Sequence, residues 1–128
     1  MSVMTGTNLP DTTDTLAIDL DHRVFDMVSS TASAVDASAP TRFVYHEKSG
    51  VLWGEYIGDT VTVGRFCGVR RDARIDVNFV HRGHDDNTTT GAATSVISRD
   101  TDGTLLLTEE FRTPDGQLHV SVCREVTV

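Results

Sequence analysis

The sequence predicts an all-β domain, a closed antiparallel up-and-down barrel of about eight strands. Three observations lead there. From residue 22 onward, short runs rich in β-branched and aromatic residues alternate with turn signals. Most connections are too short to cross a sheet, which excludes parallel pairing. An eight-strand meander hides its edges best by closing on itself.

The candidate strands are HRVFDMVSS (22–30), TRFVYHEK (41–48), VLWGEYI (51–57), TVTVGRFCGV (60–69), ARIDVNFVH (73–81), TTGAATSVIS (89–98), TLLLTEEFR (104–112) and QLHVSVCREV (117–126). Turn signals separate them: Ser49-Gly50, Gly58-Asp59, Arg71-Asp72, Asp102-Gly103 and Pro114-Asp115-Gly116. The loop RGHDDNTT (82–89) is longer and polar. STASAVDASAP (30–40) is the one candidate for a turn of helix, ending at Pro40.

Two strands carry glycines where a strand is weakened by them: Gly54, Gly58, Gly64 and Gly68. In a small, strongly coiled barrel they make room for curvature and for neighbouring rings. With Arg71-Asp72 as a two-residue turn, Gly64 falls opposite Phe79, Phe66 opposite Val77 and Gly68 opposite Ile75. No lysine follows these glycines and no helix starts there, so they form no phosphate loop.

The 128 residues suffice for one domain. Its expected extent is 22–128, preceded by a flexible acidic arm over 1–21. That arm lacks the basic and apolar regions of a secretory signal, and no apolar run is long enough for a spanning helix. A net charge of −8 repels phosphate backbones. A cytoplasmic protein with no nucleic-acid or membrane partner is expected. Cys67 and Cys123 lack zinc-site spacing and are expected as two buried free thiols.

An eight-strand barrel has an interior just wide enough for side chains or one small ligand. Strand alternation turns Ile75, Val77, Phe79 and His81 inward on the fifth strand, and Leu105, Leu107, Glu109 and Phe111 on the seventh. His81 and Glu109 are thus polar residues on apolar faces. A desolvated glutamate has a raised pKa and suits general acid or base work. The plainer reading places both at a wet rim. In the last hairpin, Gly116 at a left-handed position pairs Thr113 with Gln117, so Glu109 faces Ser121 and Leu107 faces Cys123. Ser121 is a hydrogen-bond partner for the carboxylate; no G-x-S-x-G elbow marks it as a nucleophile.

Trp53 and Tyr56 occupy opposite faces of the third strand. A two-residue turn at Gly58-Asp59 pairs Trp53 with Gly64 and sends Trp53 inside beside Phe66; a one-residue slip exchanges it for Tyr56. His81 and His84 with Asp85-Asp86 make a weak transition-metal cluster, outweighed by a solvated loop. His81 or His119 could serve a haem, without further support. No metal or cofactor is expected.

The order and spacing of GEYIGDTVTVGRFCG, RIDVNFVH, TGAATS, DGTLLLTEEF and HVSVCREV resemble a family of small bacterial lipocalin-like (calycin-type) β-barrel proteins, often labelled N-acetylglutamate synthase. The resemblance runs from about His22 to Val126. Its members usually have Tyr at the place of Phe79 and Trp at that of Phe111, so contacts by those polar tips do not carry over. The resemblance implies a barrel with a ligand-sized interior. The synthase label conflicts with the residues, which offer no helix N-terminus or nest for a coenzyme A pyrophosphate.

The function expected is binding of an apolar or aromatic metabolite by Trp53, Phe66, Phe79, Phe111 and Ser121. The alternative is a cofactor-free cyclase or isomerase of natural-product biosynthesis with Glu109 and His81 as acid and base. A barrel packed solid and used for homodimerisation is a third reading.

Overall fold

The computed structural model describes residues 18–32 and 34–127. Eight strands follow one another: β1 (Arg23–Ser30), β2 (Arg42–Lys48), β3 (Val51–Gly58), β4 (Val61–Arg71), β5 (Arg74–Gly83), β6 (Thr88–Arg99), β7 (Leu105–Arg112) and β8 (Leu118–Glu125). Each pairs antiparallel with the next, and β1 pairs with β8 to close the barrel. No helix occurs among the described residues, including those of the 30–40 stretch.

The last hairpin follows its turn chemistry. Gly116 has φ +86°, the Thr113 amide donates to the Gln117 carbonyl (3.0 Å), and Glu109 stands opposite Ser121. Between β4 and β5 the turn residues are Asp72 and Ala73, with Arg71 opposite Arg74. Phe66 therefore faces Phe79, and Gly68 faces Val77. This register lies two residues from the expected one, and a shift of two leaves every side chain on its own face.

The two ends of the barrel differ. Toward the end where β1 begins, the interior is solid with Leu20, Phe25, Leu52, Ile75, Ile97, Leu105 and Leu107, all 2% exposed or less. Leu20 and Ile18 come from the segment before β1 and plug this end. The Leu20 amide donates to Glu47 Oε1 (2.9 Å), while Arg70 Nη1 donates to the Ile18 carbonyl (2.7 Å) and to Glu47 Oε1 (2.9 Å). Residues 18–21 thus belong to the barrel and not to an arm, because Ile18 and Leu20, two apart in extended chain, bury one edge each into its end. The rest of the expected arm, residues 1–17, lies outside the described residues.

The cysteines divide as well. Cys123 is buried, but Cys67 is exposed on the outer wall, opposite Trp53. On β4 the inward positions belong to Gly64 and Phe66, which forces their odd-numbered neighbours outward.

Candidate functional site

The opposite end, where β1 finishes and β2 starts, holds a cavity of about 240 Å³. Phenylalanine and tyrosine rings from several strands line it, among smaller apolar and polar side chains. Phe43 and Tyr45 come from β2, Tyr56 from β3, Phe66 from β4, Phe79 and His81 from β5, and Glu109 and Phe111 from β7. Strand alternation carries each of them inward above the solid half of the core. The rings support one another: Phe43 stacks on Tyr56 at 4.9 Å, Tyr45 meets Phe66 at 4.7 Å, and Phe79 meets Phe111 edge-on at 6.3 Å.

Six of the expected site residues line this one cavity: Glu109, His81, Phe66, Phe79, Phe111 and Ser121. Trp53 does not. It lies on the outer wall, 43% exposed and stacked on His46, and Tyr56 takes the interior place. A bulge causes the exchange. The turn residues are Asp59 and Thr60, and β4 carries one extra residue between Val61 and Gly64, so Thr62 and Val63 both face outward. Tyr56, not Trp53, then falls opposite Gly64. An odd shift of register reverses the faces of β3.

Glu109 is the chemical centre. Below it on β7, Leu105 and Leu107 are buried, and beside it stand Ser95 of β6 and Ser121 of β8. Ser121 turns its hydroxyl to Ser30 Oγ (3.1 Å) rather than to the carboxylate. Among the described residues no donor hydrogen-bonds or ion-pairs with Glu109, whose remaining exposure is to the cavity. Burial pushes its pKa up to about 7. Its charge, added to burial, holds the Tyr45 and Tyr56 hydroxyls and the Cys123 thiol protonated.

Across the cavity, Tyr56 Oη and His81 Nδ1 share a hydrogen bond of 2.8 Å. Desolvation lowers the His81 pKa, so the imidazole is neutral at pH 7. The Tyr56 hydroxyl donates when the ring proton sits on Nε2. A neutral hydroxyl–imidazole pair facing a carboxyl group of raised pKa can accept, donate or pass on one proton.

The remaining histidines lie elsewhere. His84 Nε2 bonds the Asp59 carbonyl (2.9 Å), which separates it from His81 and dissolves the HRGHDD cluster. His119 packs on Phe111 and meets Thr31. Both His81 and His119 use Nδ1 in these contacts. Among the described residues, Asp21, His22 and His46 bring ligand atoms within 4.8 Å of one another, on the surface at the plugged end.

Sequence reasoning overlooked Met27, Phe43 and Tyr45. The signal was present in TRFVYHEK, where Phe43 and Tyr45 alternate with Arg42, Val44 and His46.

The same span carries a sequence signature, since a family model described as avidin-like protein matches residues 18–126. The chain belongs to the avidin-like protein family. No curated protein and no solved structure matches it. Avidin-like membership agrees with the calycin-type barrel and with a small-molecule-binding interior, and gives no support to the N-acetylglutamate synthase label. The avidin-like match begins at Ile18, the first residue of the plug.

Proposed function

We propose that this barrel binds one small, mostly apolar or aromatic metabolite in the upper half of its interior. The observation that carries this reading is the cavity of about 240 Å³ lined by aromatic rings, with the Glu109 carboxyl in its wall and Asp59 also among its lining. Apolar walls with few polar groups are the common make-up of small-molecule sites. The volume is just under the ~300 Å³ at which drug-sized pockets begin, which suits one or two rings and excludes a long lipid. Avidin-like barrels bind small ligands such as biotin, so biotin belongs in any ligand screen.

Native mass spectrometry of the purified protein is the direct test, paired with thermal shifts from a library of small aromatic compounds. The expected result is a retained mass or a raised Tm. Protein that carries nothing and responds to no compound would refute binding.

A second reading has its own support. Glu109, with its pKa near 7, shares the cavity with the Tyr56–His81 pair, the equipment of a cofactor-free isomerase or cyclase. In that case Glu109→Gln lowers turnover by ~10²–10⁴-fold while substrate still binds. Unchanged turnover in the variant would end this reading.

A further inference from the structure

We infer that the ligand carries a protonated amine and presents it to Glu109, so that the barrel selects small organic cations with an aromatic body. This rests on the binding function proposed above and specifies its ligand class.

Glu109 reaches into an aromatic cavity with no partner of its own among the described residues. A ligand that fills the cavity removes the last water from that carboxylate. A neutral apolar ligand gives the carboxylate no partner and leaves the group in its protonated form, and an anionic ligand adds a like charge; neither draws on the ionised carboxylate. An ammonium group turns the same desolvation into an ion pair with charge-assisted hydrogen bonds.

The surroundings favour a cation in three further ways. Among the described residues no lysine or arginine lines the cavity, whereas Asp59 adds a second carboxylate to its lining. Phe66, Phe79 and Tyr45 line the cavity, and aromatic rings attract a positive charge through their quadrupoles. The chain's net charge of −8 raises the local concentration of cations around the protein.

Among the described residues no protein group competes for the role. The titratable groups that share the interior with Glu109 are Tyr45 of β2, Tyr56 of β3, His81 of β5 and Cys123 of β8. Burial keeps the first two and the thiol protonated and neutral, and keeps His81 neutral. The other strands around it offer Met27 and Ser30 from β1, Val61 and Phe66 from β4, and Thr89 and Ser95 from β6, none of them charged. Among the described residues nothing supplies the positive charge that matches Glu109, and the ligand brings it.

The test is calorimetric titration of the full chain at pH 7 with 2-phenylethylamine, 2-phenylethanol and 3-phenylpropionate, which share a ring and differ in the terminal group. Each titration is run in two buffers of different ionisation enthalpy. The amine is expected to bind about tenfold tighter than the alcohol or better, with the carboxylate weakest. With the Glu109 pKa near 7, amine binding should release about half a proton, because the bound carboxyl is fully ionised. Glu109→Gln should abolish both the preference and the proton release. An alcohol or carboxylate that binds as tightly as the amine would overturn the inference and leave the binding function standing. So would amine binding without proton release, or a molecule retained by the purified protein that lacks a basic nitrogen. No binding by any of the three, with nothing retained, would overturn the binding function itself.

Discussion

Tyr56 covers Gly64. The two stand opposite each other across the β3–β4 ladder, and a Cβ on Gly64 would come within 2.6 Å of the tyrosine ring. The ring cannot swing away freely, since Phe43 stacks on it and His81 holds its hydroxyl. Gly64→Ala should therefore destabilise the barrel by ~1–3 kcal/mol, as overpacking does. Urea unfolding measures this, and Tyr56→Ala in the same background should recover part of the loss. An unchanged midpoint in Gly64→Ala would show that the ring does not rest there.

Glu109 should make stability fall as pH rises. Its folded pKa of about 7 exceeds that of a free glutamate near 4.5, so the folded state binds its proton more tightly. Below about pH 4.5 the carboxyl is protonated in both states and costs nothing. Between about 4.5 and 7 the unfolded chain ionises first and gains on the folded one, up to about 3 kcal/mol, with no further loss above 7. Glu109→Gln should match the parent at pH 4 and exceed it in unfolding free energy at pH 8. Parallel pH profiles for the two proteins would contradict the burial of this charge.

The plug at the closed end should be structural. Leu20 is fully buried, and Leu20→Ala should cost ~2–5 kcal/mol in chemical denaturation. A midpoint shift no larger than that of a surface substitution would place Leu20 outside the core.

Thiol chemistry should separate the cysteines. Cys67 is exposed on the outer wall and should react with a thiol reagent in the folded protein, while Cys123 should react only after unfolding. One equivalent in buffer and two in denaturant is the expected count. Trp53, beside Cys67 on that wall, should be quenched by acrylamide whether or not a ligand fills the cavity.

Fold and much of the site were legible in the sequence because both rest on a period of two. Alternation in RIDVNFVH and LLLTEEF marked Phe79, His81, Glu109 and Phe111 as one inner surface, and Pro114-Asp115-Gly116 set the register of the last hairpin. The wall built from β3 was not legible. Its facing depends on one bulged residue around Thr62, and no residue type there announces a bulge. Leu20 was missed for a different reason. A plug needs only one or two apolar groups, too few to make a pattern. The Tyr56–His81 bond joins strands that are not neighbours: both residues stand opposite Gly64 of β4, which puts no side chain between them.

The plug also settles how the molecule can be held. Ile18, at the start of the described chain, and Thr127, past the end of β8, both leave from the sealed pole, opposite the mouth of the cavity. A tether at either of these points leaves the mouth facing away from the attachment surface. A barrel held at Ile18 or at Thr127 thus presents its interior to solution, a geometry suited to a surface-coupled sensor.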